Sequence, residues 1–223
     1  MKKTIILAAM LALPTFAGQK VIVNPAPVAP VAPAVASPWS VELAATYTWG
    51  VPDIYNCISP CKEIKSVGAD ITGVYAIDEN NAVTLRFGYT WGGEKFALDY
   101  EFEDGGLVPG HLKTRIHTFS LMPGYRYTQP ICENVSWFVG ANVGVANASY
   151  KLGHYVGEYR FDREHASAWG FAYSAEVGLR YALTEQLDVF CAYQYGGNTA
   201  KPSGNITHRQ HGHQARVGVG IKF

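Results

Sequence analysis

The sequence predicts an all-β fold, an eight-stranded antiparallel up-and-down β-barrel that spans a membrane. Three observations carry this reading. After Pro38, eight stretches alternate apolar and polar residues with a period of two. Their connections are by turns long and short. Charges collect on one of the two faces, while the other stays apolar between clusters of Tyr and Trp.

The first stretch, Ser40 to Trp49, sets Val41, Leu43, Ala45, Tyr47 and Trp49 against Glu42, Ala44, Thr46 and Thr48. The second, Ser66 to Ile77, sets Val67, Ala69, Ile71, Tyr75 and Ile77 against Ser66, Gly68, Asp70 and Thr72. The third, Ala82 to Trp91, is the clearest, with Val83, Leu85, Phe87, Tyr89 and Trp91 opposite Thr84, Arg86, Gly88 and Thr90. The fourth runs from about Lys113 to Tyr127 and contains Pro123, which cannot donate to a ladder and so marks an expected edge or bulge. The fifth and sixth are Val135 to Ala146 and Ala168 to Ala182, with Trp137, Val139, Trp169 and Phe171 on their apolar sides. The seventh, Leu187 to Tyr195, precedes the eighth, His208 to Phe223, whose apolar row is Ala215, Val217, Val219, Ile221 and Phe223.

The short connections are Asp78 to Asn81, Thr128 to Asn134 and Leu183 to Gln186. The long ones pass through Cys57 and Cys61, Glu94 to Leu112, Tyr150 to His165, and Gly196 to Thr207. Long loops on one side and tight turns on the other is the arrangement of a transmembrane barrel. No stretch reaches the roughly 20 consecutive apolar residues of a membrane helix. Charged residues are only 16% of the chain and the formal net charge is zero, without a basic stripe, so nucleic acid is not an expected partner.

A soluble eight-stranded barrel would carry its apolar face inside and many charges outside. Here the charged face holds Glu42, Asp70, Glu176 and Asp188 with Arg86, Arg126, Arg180, Arg216 and Lys222. A cation on a lipid-facing position costs roughly 2–4 kcal/mol at mid-bilayer, so this segregation places lipid outside and the charges in the lumen. Eight staves leave room only for side chains. The expectation is a plug of paired acids and bases, with Gly68, Gly88, Gly140, Gly144, Gly178 and Gly218 making space. The alternative is a gated path for ions.

Lys2 and Lys3, the apolar run Ile5 to Leu13, and Thr15-Phe16-Ala17 form a secretory signal peptide over 1–17. Residues 18–38 repeat Pro, Ala and Val and read as a semi-rigid or disordered periplasmic linker, leaving 39–223 for the barrel. In an oxidising compartment Cys57 and Cys61 can form a small loop disulfide. Cys132, placed in a turn, and Cys191, on the lipid face, are expected to remain free thiols.

The signal peptide, the eight strands, the Gly-rich inward face, the run Met122-Pro123-Gly124-Tyr125-Arg126-Tyr127 and the closing Val217-Gly218-Val219-Gly220-Ile221-Lys222-Phe223 together resemble the small OmpA-like and opacity-type outer-membrane proteins. The resemblance implies a bacterial outer-membrane location with both termini periplasmic, and lipid and lipopolysaccharide as surroundings. It also implies that Val217, Val219, Ile221 and Phe223 form the signal read by the barrel-insertion machinery. Family members act as envelope scaffolds, adhesins or weak pores. The expected role is therefore structural or adhesive, with a narrow porin as the alternative and a lipid-modifying enzyme behind both. A host or extracellular ligand would meet the long loops at Phe96, Tyr100, Phe102, Tyr155, Tyr159 and Phe161, which alternate with charged residues, so both stretches can continue the strands above the membrane as a projecting sheet with a pairing-prone edge. No cofactor is expected. His117 and Ser120 fall on opposite faces and no other His/Ser pair stands out, so no catalytic residue is assigned. His211 and His213 share a face and are weak metal candidates, His208 being out of register with them.

Overall fold

The computed structural model describes residues 37–50, 52–55, 65–101, 107–200 and 207–223. The expected signal peptide, most of the expected linker, Cys57, Cys61 and Phe102 lie outside the described residues. The strands are β1 (Trp39–Trp49), β2 (Pro52–Tyr55), β3 (Ser66–Ala76), β4 (Asn81–Glu101), β5 (Leu107–Cys132), β6 (Val135–Val156), β7 (Tyr159–Ala182), β8 (Leu187–Asn198) and β9 (Thr207–Lys222). From β3 onward each pairs with the next, and β1 pairs with both β3 and β9, so the antiparallel sheet closes on itself.

Nine strands make eight staves. β1 follows β9 from Ser40↔Lys222 to Trp49↔His213, and β2 resumes at Pro52↔Gln210 in the same register. β2 is thus the upper end of the first stave, beyond a break at Gly50. A Cβ on Gly50 would lie 2.6 Å from the Gly212 Cα, so only glycine allows that approach.

The strands outrun the alternation that predicts them. The third expected stretch ends at Trp91, yet β4 continues to Glu101; the fourth, expected from Lys113, starts at Leu107. Likewise β6 passes Ala146 to reach Val156, and β7 begins at Tyr159 rather than Ala168. The reason is physical: beyond the lipid the outward positions are no longer apolar (Lys95, Lys113, Arg115, Lys151), so the apolar row leaves the outward parity while the hydrogen-bond ladder goes on through the alternating stretches at Phe96 and Tyr155. At the other end, the expected connection Thr128 to Asn134 shrinks to Glu133-Asn134. β5 runs to Cys132 past an irregularity between Pro130 and Cys132, so Cys132 ends a strand instead of lying in a turn. Pro123 is also corrected. It sits inside the closed sheet opposite Leu85, and pairing with β6 resumes in unchanged register at Gly124↔Asn142, with neither edge nor bulge.

Burial is inverted relative to a water-soluble protein. Leu85, Val143, Val177, Leu179 and Val217 are exposed, Val217 at 63%, whereas Glu42, Asp188 and Arg216 are at 0%. Among the described side chains, odd positions of β4, β5, β6, β7 and β9 face outward and even ones inward, as the strand pleat requires. Turns at the narrow end are held by side chains. Asp78 Oδ1 accepts from the Asn80 and Asn81 amides at 2.9 and 2.8 Å, and Thr184 Oγ1 accepts from Leu187 N at 3.0 Å. At the far end, Gly157 adopts φ 60°, which the two-residue hairpin between Val156 and Tyr159 demands.

Candidate functional site

The lumen is organised around Glu176 of β7. Arg86 Nη2 donates to it at 2.6 Å, Arg126 Nη2 at 3.0 Å, and Arg216 Nη1 also reaches it. Arg126 holds Glu42 through both carboxylate oxygens, and Arg180 donates to the same Glu42 and, at 3.2 Å, to Asp188. Arg216 grips Asp70 through Nε at 2.9 Å and Nη2 at 2.6 Å. Lys222 lies 3.8 Å from Asp188, with its side chain 44% exposed at the mouth nearest the chain ends. The chain of ion pairs thus runs without a break from the upper lumen at Asp70 to the lower mouth at Lys222. Arginine suits this work because its planar fork serves two carboxylates at once. A buried ion without such a partner is strongly destabilising.

Neutral groups complete the plug. Arg86 also donates to Gln194 Oε1 at 2.7 Å. Two inward aromatics, Phe138 and Phe190, meet edge to face, with ring centroids 6.2 Å apart, and underlie the guanidinium layer. The Arg126 Cζ stands 4.7 Å from the Phe138 ring centre, and the Arg216 Cζ 5.5 Å from that of Phe190. The sequence places both rings on the inward face but assigns them no role. The available signal was that they are the only two aromatics on an otherwise small and polar inward row of the fifth and seventh stretches. Gly178 and Gly218 make the space: Cβ atoms there would lie 2.5 Å and 2.7 Å from the Phe138 and Phe190 rings.

Above the plug, on the side away from the termini, the lumen opens into a vestibule of about 160 Å³. Asp70 and Arg86 form its floor, and Thr46, Thr90, Thr118, Ser120, Gln194 and Gln214 line its walls. It is a blind, uncharged-walled well over an ionic floor.

The remaining candidates are not brought together. His211 and His213 lie on the outer wall, where each Nδ1 shares a hydrogen bond with a tyrosine hydroxyl, Tyr173 and Tyr193 respectively, and Trp49 stacks on His213. Among the described residues no group of three or more His, Cys, Asp or Glu is placed to hold a metal ion. Cys132 and Cys191 are exposed thiols. Val217, Val219, Ile221 and Phe223 form one exposed outward row. Of the loop aromatics, Tyr155 stacks on His111 with centroids 4.8 Å apart and Tyr159 is 86% exposed at a hairpin tip. Phe96 and Tyr100 belong to β4, paired with Leu112 and Val108, and Phe161 belongs to β7. One contact was not foreseen: Ser149 Oγ lies 3.2 Å from His165 Nε2 on the outer face of β6 and β7. The two are adjacent only through hairpin register, which the sequence does not display. Among the described residues no carboxylate orients that histidine.

The comparisons with known proteins agree with this architecture. No curated protein sequence matches the chain. Among solved structures, Ail, the attachment invasion locus protein of Yersinia pestis, aligns with a TM-score of 0.52 at 16% identity, over 84% of this chain and 99% of its own. Neisserial surface protein A aligns with a TM-score of 0.56 at 16% identity, over 85% of this chain and 100% of its own. At such identity the likeness is one of fold. The family model for the outer membrane protein beta-barrel domain matches residues 22–223, nearly the whole chain. A closed sheet with lipid-facing Val and Leu outside and paired Arg and Glu inside thus belongs to a member of the outer-membrane β-barrel family.

Proposed function

We propose that this protein is a plugged outer-membrane barrel that works through its upper rim as a surface binding or adhesion element, without catalytic activity. The observation that carries the reading is the length of β4 to β7. β4 and β5 stay paired from Asn81↔Tyr127 to Glu101↔Leu107, whereas a membrane crossing takes about 9–11 residues. β6 and β7 remain paired up to Val156↔Tyr159, and β5 pairs with β6 up to Gly110↔Val156. Four strands therefore rise together on the order of 30 Å past the belt, at about 3.4 Å per residue. Among the described residues β4 has no partner on its β3 side above Gly92, and on the β8 side of β7 the hydrogen bonds end with Thr199 on Phe171. Open strand edges of this kind recruit extended segments of other chains. Long hairpins outward and tight turns inward support an orientation with both termini in the periplasm. The outward row Val217, Val219, Ile221 and Phe223 would then serve the insertion machinery.

Excising residues 94–112 and closing the gap with a short turn tests the role. The truncated barrel is expected to insert normally yet lose attachment of cells to host or matrix surfaces, and unchanged attachment would overturn the reading. The narrow-porin alternative is countered by the ion plug. In planar bilayers the protein is expected to stay silent, and regular single-channel steps from the unaltered chain would restore the pore reading.

A further inference from the structure

The vestibule above the ion plug has two unlike walls. Around the closed ring, β6 stands opposite β1, β5 opposite β9 and β7 opposite β3. Met122 of β5, Ala146 of β6 and Ala172 of β7 form one apolar cluster and line one side. Across from them Thr46 and Thr48 of β1 and Gln214 of β9 line the other, and Thr90, Ser120 and Gln194 add polar groups between the two. These groups have bonding capacity left over. Gln214 donates from Nε2 to Thr48 Oγ1 at 3.1 Å, and its Oε1 has no partner among the described residues. Gln194 accepts from Arg86 through Oε1, and its Nε2 likewise has none. Among the described residues no side-chain hydrogen bond engages the hydroxyls of Thr90 or Ser120. A Cβ on Gly88 would lie 2.8 Å from Ser120 Oγ, so glycine there keeps that hydroxyl uncovered.

The floor, by contrast, is saturated. Asp70 gives both carboxylate oxygens to Arg216, and Arg86 donates to Thr72, Gln194 and Glu176. A charged solute entering the well would lose its water and find no counter-charge, which is strongly disfavoured. A wholly apolar one would strand the amides and hydroxyls. What fits is a neutral molecule with hydroxyls around its edge, each both donor and acceptor, and a C–H face for Met122 and Ala146. A pyranose ring has that form. At roughly 30 Å³ per water, a well of about 160 Å³ has the volume of about five waters, which accommodates one ring and not a chain of them.

We propose that the vestibule is a binding site for one neutral sugar ring, with Gln194, Gln214, Thr90 and Ser120 holding its hydroxyls and Met122 and Ala146 packing its C–H face. The plug below makes this capture without passage. That the well meets sugars outside the cell rests on the orientation given under Proposed function; the affinity itself does not.

The test uses the full chain refolded in dodecylphosphocholine micelles, whose headgroup carries no sugar, with binding read by saturation-transfer NMR on the ligand. The probes are glucose, galactose and mannose, their methyl glycosides, and the charged rings glucuronate and glucosamine. At least one neutral hexose is expected to bind, and both charged rings at least about tenfold more weakly than that hexose. Ala146→Leu fills the well and is expected to abolish binding, while Gln214→Leu removes the amide and is expected to weaken it about tenfold, the scale of one lost hydrogen bond. Both variants should keep the heat-dependent gel mobility of a folded barrel. Equal binding by either variant, a charged ring bound as tightly as the neutral one, or no transfer to any hexose overturns the proposal. The comparison of neutral with charged rings needs no variant and decides even where a substitution prevents folding. A methyl glycoside that binds as the parent hexose does assigns the end of a glycan; loss of binding on methylation assigns the free sugar. Attachment that survives excision of residues 94–112 while sugar still binds removes the adhesion reading alone. Attachment lost on excision, with no sugar bound by the unaltered chain, removes this inference alone.

Discussion

Arg216 of β9 and Asp70 of β3 clasp each other past β1: they are 146 residues apart, yet two hydrogen bonds of 2.9 and 2.6 Å join them in the lumen. Replacing Asp70 by Ala leaves half of the fork without a counter-charge, and removing one partner of a buried pair costs about 3–5 kcal/mol. Urea unfolding of the barrel in lipid vesicles is expected to show a loss of that size. Pairing Asp70→Leu with Arg216→Met should recover most of it, because both charges then leave the interior.

Packing beneath the plug leaves no slack. A Cβ at Gly178 would lie 2.5 Å from the Phe138 ring and 2.6 Å from the Cys191 carbonyl oxygen. The ring could turn, but the backbone oxygen could not. Gly178→Val is therefore expected to destabilise the barrel by about 1–3 kcal/mol, the usual range for overpacking. A lowered temperature for conversion from the compact to the extended form on gel electrophoresis measures this. Gly73→Ala, whose Cβ would meet nothing closer than the Leu85 carbonyl oxygen at 4.0 Å, is expected to change little.

The tight turn at Asp78 is expected to weaken in acid. Hydrogen bonds from the Asn81 side chain and the Asn80 amide hold the Asp78 carboxyl below the ordinary aspartate range. A lowered folded-state pKa means that the stabilising contribution is complete above the unfolded-state value and fades as pH falls through the folded one. Exchange of the Asn80 and Asn81 amides, followed by NMR, should therefore accelerate in acid beyond the intrinsic pH trend. Asp78→Asn keeps the acceptor oxygen but not the titration, and should abolish the excess acceleration.

Much of this molecule is legible in its residues, and the limit falls at the edge of the lipid. Within the bilayer every second residue must be apolar, so Val83, Leu85 and Phe87 announce their strand and its faces. The inward charges stand out against the same pattern. Above Trp91 that constraint lifts: Lys95 and Lys113 are as acceptable as Val outside, and the strands continue with their apolar residues, such as Phe96 and Tyr100, on the other parity. Glycines 105 and 106 and Pro109 there resemble an ordinary loop. Contacts that depend on register, such as Ser149 with His165 and Tyr173 with His211, cannot be seen before the hairpins are aligned. The rings of Phe138 and Phe190 are visible as residues, but their service to the guanidinium groups emerges only when opposite walls are brought face to face.

The closure between β1 and β9 also sets the order of events during assembly. Asp70 emerges early from the export channel, but Arg216 arrives 146 residues later, while Glu42 meets Arg126 after 84 residues and Arg180 after 138. Until β9 docks, the sheet has two raw edges and Asp70 lacks its ion-pair partner. A half-exported chain therefore cannot settle into a stable smaller barrel, and such non-local pairing makes for slow folding. The ion plug acts as a completeness check, in which the final stave supplies the charge that makes Asp70 tolerable inside a membrane.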